Sequence, residues 1–328
     1  MTRPPPHARA AGPLTLRVSV TDRCQLRCLY CTPAEGVALF AHEQILRHEE
    51  IVEVVRVLAR HFGLTKVRIT GGEPLVRRGV ADLVAMLAAE PAGELAMTTN
   101  GLRLPELAGE LKRAGLTRIN ISLDSLDAAT YRTLTRGGEL SGALAGIDAA
   151  VAAGLTPVKL NATLLRGVND SEAEALTEFA LGRGLTMRFI ELMPIGEARA
   201  RFDEWFVPAR EVIERLARLF ELTELPRRPG SASREFHLAA PDGRTGAVGV
   251  ISSFSQPFCG DCARLRLTAT GELIGCLAKS EGLPVTPLLR RPGGPDGPAI
   301  AAAARAVLAT KRTGCGFWND RNMVKVGG

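Results

Sequence analysis

Thr21-Asp22-Arg23-Cys24-Gln25-Leu26-Arg27-Cys28-Leu29-Tyr30-Cys31 sets three thiols within eight residues, directly behind the strand-like run 14–20. Three thiolates on one short loop can hold three irons of a cubane iron–sulfur cluster and leave the fourth without a protein ligand. Zinc prefers four ligands, usually as paired Cys-x-x-Cys units, and no nearby His or Cys completes such a set. The loop sits where a strand ends, so the elements around it decide what it faces.

Short β-like runs recur at 14–20, 66–70, 95–99, 118–123, 157–163 and 186–191. Between them, 48–62 sets Ile51, Val54, Val55, Leu58 and Phe62 on one helical stripe. Similar segments cover 79–89, 105–114, 140–153 and 171–183, with Gly63, Gly115 and Gly154 just past helix ends. Repeating β–α units imply a parallel sheet with right-handed crossovers. The unusual residues fall repeatedly at the C-terminal ends of strands, the catalytic face of (βα) barrels. Asn120, Ser122 and Asp124 make one polar alternating face, and Lys159, Asn161 and Thr163 another. Central strands with polar faces imply a lumen open enough for a ligand.

After Glu191 the rhythm breaks. A helix is expected at 208–220, a small antiparallel unit at 235–240 and 246–251, and a hairpin at 264–268 and 272–276 around Gly271. The Pro/Gly-rich 284–298 reads as loop, and 299–311 as a helix. The expected fold is α/β: a partial (βα)6 TIM-type barrel over 14–195, a C-terminal α+β extension over 196–328 packed on it, and a flexible tail at 1–13.

Composition narrows the class. The 328 residues carry a formal net charge of +6 without any Lys/Arg-rich run, which gives no footing for nucleic-acid binding. No apolar run nears the roughly 20 residues of a membrane span, and the start lacks a signal core, so a cytoplasmic setting is expected. Seven cysteines then point to metal or redox chemistry rather than disulfides. Six form two triplets, the second being Cys259, Cys262 and Cys276; Cys315 stands apart, with no cluster role expected. A three-Cys zinc site with an unseen fourth ligand is the alternative for the second triplet.

The Cys-x3-Cys-x2-Cys loop with Tyr30 before its last Cys resembles the radical S-adenosylmethionine (SAM) superfamily, and Gly71-Gly72-Glu73-Pro74 resembles that superfamily's motif for the SAM amino group. The resemblance implies a [4Fe-4S] cluster whose open iron chelates SAM and releases a 5′-deoxyadenosyl radical. The second triplet sharpens the match. Nearly end to end the chain is similar to the GTP 3′,8-cyclases of molybdenum cofactor biosynthesis, through Leu16-Arg17, Arg68–Leu75, Thr98–Gly101, Asn120–Ser125, Lys159–Asn161, Arg188–Pro194, Cys259–Arg266 and the terminal Gly327-Gly328.

That family implies two [4Fe-4S] clusters on the six cysteines, SAM as cofactor, and GTP as substrate bound at the second open iron. Its product is (8S)-3′,8-cyclo-7,8-dihydroguanosine 5′-triphosphate. Cys24, Cys28, Cys31, Arg17 and Arg266 are implied to be catalytic. Tyr30, Gly72, Glu73, Ser122 and Met193 are implied to bind SAM. Arg17, Arg68, Thr99, Lys159, Arg188, Arg264, Leu265 and Arg266 are implied to bind GTP. No sequence reads Gly-x4-Gly-Lys-[Ser/Thr], so a triphosphate must rest on side-chain cations, for which Arg is well suited.

The Gly-Gly tail is implied to enter the active site; Val326 stands before it where the family often has Ile. Implied partners are an electron donor such as flavodoxin or ferredoxin and, downstream, a cyclic pyranopterin monophosphate synthase; a homodimer is open. The alternative is a radical SAM enzyme with one auxiliary cluster acting on a peptide, although such enzymes usually carry more C-terminal cysteines.

Overall fold

The computed structural model describes residues 14–278, 281–311 and 322–327; the expected N-terminal tail, Cys315 and Gly328 lie outside them. Strands and helices alternate as β1 (Thr15–Ser19), α1 (His48–Phe62), β2 (Lys66–Thr70), α2 (Val80–Ala88), β3 (Glu94–Thr99), α3 (Leu104–Arg113), β4 (Arg118–Ser122), α4 (Ala128–Thr135), α5 (Leu140–Ala152), β5 (Val158–Thr163), α6 (Ala173–Gly182) and β6 (Thr186–Ile190). All six expected strands are present, and α1 has the expected bounds. Its stripe is buried, with Ile51, Val54, Val55 and Leu58 fully covered. Its N-terminus is closed by Glu50, which accepts from the Arg47 N–H at 2.7 Å, and its C-terminus by Gly63 at φ +64°.

Helix α4 was not expected. Asp127 caps it by accepting from the Thr130 N–H at 2.8 Å, and its buried face is Tyr131, Leu134 and Thr135.

The remaining elements are α7 (Phe202–Trp205), α8 (Ala209–Leu216), β7 (Glu221–Glu224), β8 (Arg234–Ala239), β9 (Thr245–Ile251), β10 (Arg264–Leu267), β11 (Glu272–Ile274), β12 (Gly282–Pro284), α9 (Thr286–Leu289), α10 (Gly297–Ala309) and α11 (Met323–Val326). The expected helix at 208–220 ends at Leu216, and Phe220 turns inward to lead into β7. The stretch expected as loop at 284–298 holds α9 and the start of α10.

The twelve strands of the described residues form one sheet in the order β12-β11-β10-β1-β2-β3-β4-β5-β6-β9-β8-β7. The extension therefore does more than pack on the barrel. It lays β10 parallel to β1 and β9 parallel to β6, lengthening the six-stranded parallel sheet at both edges. The helices cover the outer face, where the apolar parity of each strand meets them in one continuous core. The inner face keeps the polar parity.

Candidate functional site

Register decides which side chains share the inner face. Arg266, Arg17 and Arg68 are consecutive partners across β10, β1 and β2, and the row continues through Ala96 to Arg118 on β4. Another row runs Ser122, Asn161, Arg188, Gly249 and Glu235 across β4, β5, β6, β9 and β8. Side chains in a row point to one face, so the sheet gathers charges that lie far apart in sequence.

This face lines a cavity of about 620 Å³, within the usual range for a small-molecule site. All six cysteines of the two triplets open on it, as do Arg17, Tyr30, Arg68, Gly72, Glu73, Thr99, Ser122, Lys159, Arg188, Met193, Arg264 and Arg266. Leu265 does not. It alternates with the two arginines, so its side chain is fully buried on the helical side, and only its main chain lies near the cavity.

The triplets sit at opposite ends of the parallel strands. Cys24, Cys28 and Cys31 follow the C-terminal end of β1, while Cys259 and Cys262 precede β10, which runs parallel to β1. Antiparallel β11 returns Cys276 to that same end. A five-residue strand separates the ends by about 16 Å.

At the first end, Gly71 and Gly72 allow close packing against the chain leading to Cys24. A Cβ on Gly72 would lie 2.4 Å from the Arg23 carbonyl oxygen, and one on Gly71 2.8 Å from that of Thr21. The Gly72 N–H donates to the Thr21 carbonyl at 2.7 Å. The glycine pair thus serves contact between two loops, where the sequence suggested close approach to a ligand. Glu73 is buried and its carboxylate accepts from Thr99 Oγ1 at 2.6 Å, the Asn100 N–H at 2.7 Å and the Leu75 N–H at 3.0 Å. Burial pushes this carboxyl up to about 7 against those hydrogen bonds. Thr99 is therefore committed to Glu73, placing its hydroxyl at the first-triplet end rather than among the arginines.

Tyr30 donates its hydroxyl to Asp124 Oδ2 at 2.7 Å, and the Thr163 N–H donates to Oδ1 at 2.8 Å. Burial above all, with Asp124, Glu73 and neighbouring thiols adding to it, pushes Cys24 up to about 12 and Cys31 up to about 11. Cys28 is shifted the same way. Thiolates at this end need a bound cation to offset their burial, a part that a cluster's irons would fill.

Cys262 of the second triplet has opposite surroundings. Burial raises Cys262, but Lys311 and Arg264 outweigh it and draw the thiol below its ordinary value. Lys311 Nζ lies 3.2 Å from Cys262 Sγ and 3.0 Å from its carbonyl oxygen. All six described cysteines are unpaired and half-buried. Among the described residues no three His, Cys, Asp or Glu side chains are drawn together for a single metal ion. Three thiols opening on each end of the cavity are the donor type that iron–sulfur clusters take, whereas zinc would need a fourth ligand. Both donor sets fit a three-thiolate cluster.

Between the ends the arginines crowd one another. Burial first, then Arg266, Arg68, Arg264 and Arg188, drive Arg17 well below its ordinary value. Burial and like charges bring Arg68 to about 9 and Arg266 to about 10; Arg188 also reaches about 10, although Glu235 opposes its shift. A guanidinium keeps its proton, so this cost is expressed as affinity for an anion of high charge.

Arg118, Lys66, Glu94, Asn100 and Glu235 also line the cavity and were missed. Arg118 shares the parity of Asn120 and Ser122 on β4, and Lys66 that of Arg68, so alternation alone points to both. Glu235 has no such signal, because nothing local shows that β8 reaches this sheet.

The model of the radical SAM superfamily matches residues 18–180, and that named Molybdenum Cofactor Synthesis C matches 185–317. A GTP 3′,8-cyclase of Geobacter sulfurreducens is 47% identical over 84% of this chain and 83% of its own length. That of Moorella thermoacetica is 46% identical over 95% of this chain and 97% of its own length. One from Corynebacterium glutamicum is 41% identical over 95% and 86%. Among solved structures, Streptococcus suis SuiB bound to S-adenosylmethionine superposes with a TM-score of 0.55 over 83% of this chain and 61% of that one. At 13% identity, that likeness speaks to the fold alone. With 40% or more of its residues shared over nearly its whole length, the chain belongs to the GTP 3′,8-cyclase family of radical SAM enzymes.

Proposed function

We propose that this chain converts GTP to (8S)-3′,8-cyclo-7,8-dihydroguanosine 5′-triphosphate, the first step of molybdenum cofactor biosynthesis. The observation that carries this is a single cavity with a thiol triplet at each end and a row of arginines between them. When bound, a reduced cluster with SAM supplies a carbon-centred radical by one-electron cleavage of the sulfonium.

The residues lining the cavity support an assignment for each part. Cys24, Cys28 and Cys31 would hold the first cluster, and Cys259, Cys262 and Cys276 the second. Gly72, Glu73, Ser122, Met193 and the Tyr30–Asp124 pair line the space next to the first triplet. Arg17, Arg68, Lys159, Arg188, Arg264 and Arg266 would hold the triphosphate, as planar bidentate donors suit phosphate oxygens. A nucleotide fixed at both its base and its phosphates presents its ribose to the SAM end, and that positioning is the protein's main contribution to rate.

No described helix is long and apolar enough to cross a membrane. A cytoplasmic setting, a flavodoxin or ferredoxin as electron donor, and hand-over to a cyclic pyranopterin monophosphate synthase complete the reading. Homodimerisation stays open to sizing in solution. The test is anaerobic incubation of the cluster-loaded protein with GTP, SAM and dithionite. GTP should be consumed in step with release of 5′-deoxyadenosine. SAM cleavage that runs equally well without GTP, with GTP unchanged, overturns the substrate.

A further inference from the structure

Of the carboxylates lining the cavity, three are saturated by uncharged donors. Glu73 and Asp124 are held as described, and Glu191 accepts from the Ala209, Phe254 and Ser255 N–H groups and from Ser255 Oγ. Glu94 lies between Lys66 at 3.0 Å and Arg118 at 2.8 Å, on the two strands beside its own. Glu235 differs. It comes from β8, in the extension, and meets Lys159 of β5 at 2.7 Å across the two intervening strands, with both side chains largely buried.

The pair reaches across a position where the chain carries no side chain and its neighbours close in. Gly249 lies between Arg188 and Glu235 in the same row, and a Cβ there would come 3.2 Å from Arg188 Cγ and 2.5 Å from Ser233 Oγ. The Glu235 carboxylate thus stands in the cation field itself, near Arg188 as well as Lys159. Its partner is the one cation of the GTP set that is an ammonium: a compact point charge on a flexible stem, able to turn from one acceptor to another without losing a fixed fork geometry.

We propose that Glu235 is an internal counter-anion that holds the place of one phosphate on Lys159 until the tail of a polyphosphate ligand displaces it. This rests on the proposed triphosphate site and adds its regulation. With the cavity free of nucleotide, Glu235 lowers the repulsion among the buried cations. A single phosphate would have to compete with a carboxylate already tethered beside Lys159. A tail anchored through Arg17, Arg68 and Arg266 meets Lys159 at high effective concentration and wins. Glu235 therefore weakens binding of every phosphate ligand and makes a long, anchored tail the one able to use Lys159.

Equilibrium binding to the cluster-loaded protein tests this, with GTP and inorganic triphosphate as probes on wild type, Glu235→Gln, Glu235→Ala and Glu235→Asp. Loss of the charge should tighten both probes by roughly tenfold, a gain that structural damage does not produce. Glu235→Asp, which keeps the charge, should stay within about twofold of wild type. If Glu235→Gln fails to fold, Glu235→Ala gives the same reading. Unchanged or weaker binding in the charge-removed variants, with GTP bound normally by wild type, overturns the proposal and leaves the function standing. If wild type binds triphosphate but not GTP, the function fails, and the variants still decide the proposal. Wild type binding neither probe overturns both.

Discussion

Arg266 donates from Nη1 to the main-chain carbonyl of Gly327 at 2.5 Å, so a side chain of the cation row also holds the tail. Gly327 lies at φ +75°, and a Cβ there would sit 2.9 Å from Ser19 Cβ and 3.2 Å from Thr70 Cγ2. Gly327→Val should therefore dislodge the tail. Turnover should fall by about 10²-fold, as for other small displacements at a reacting site, with iron content unchanged. Comparing 5′-deoxyadenosine release with iron assays checks it.

Gly72→Ala acts elsewhere. Its Cβ would lie 2.4 Å from the Arg23 carbonyl oxygen, a backbone atom of the segment that presents Cys24. The first triplet should lose its cluster while the second keeps its own. Anaerobic reconstitution should give about four irons per chain where wild type gives about eight. A full complement in the variant would show that the loops part without disturbing the thiols.

Arg17 sits between Arg266 and Arg68 and is buried among like charges. Arg17→Met should weaken GTP binding by roughly tenfold or more. The same change should raise stability without nucleotide by about 1 kcal/mol, since it takes one of several mutually repelling buried charges out of the row. Isothermal titration and urea unfolding give the two numbers, and their opposite signs are the test.

Glu50 accepts from the Arg47 N–H and pairs with Arg290 at 2.7 Å, joining α1 to the extension. Burial raises its carboxyl, but hydrogen bonds from Arg290 and Arg47 outweigh this and hold it below its ordinary value. Because the folded value lies below the unfolded one, the stabilisation is present above the unfolded value, near 4.5. It is lost as pH falls through the lower, folded one. Glu50→Gln should cost about 1 kcal/mol at neutral pH, and its unfolding midpoint should converge on wild type in acid. A constant gap across that range would rule out the ion pair.

What was legible in the sequence follows from how local each signal is. Val54 and Leu58 announce α1 from within one turn of each other, and the alternation of Lys159 and Asn161 shows a polar inner face. Helix α4 is two turns long, and its only strong mark is the cap at Asp127, which a reading of hydrophobic period passes over. Leu265 was placed at the site by resemblance, although alternation with Arg264 and Arg266 already turns its side chain away. The capture of β9 and β10 by opposite edges has no local trace. Without it, neither the Arg266–Arg17 contact nor the Lys159–Glu235 pair can be read.

The seating of β10 beside β1 also bears on how the protein is made. Thr15 waits for a neighbour, Arg264, that follows it by about 250 residues. At roughly 5–20 residues per second, that edge stays open on the ribosome for about ten to fifty seconds. Strand β1 carries apolar Leu16 and Val18 and leads straight into the first thiol loop. Through that interval the nascent chain presents an unpaired strand edge and three accessible thiols. Early delivery of iron and sulfide, or a chaperone on that edge, should therefore raise the yield of active enzyme more than slower folding of the completed chain would.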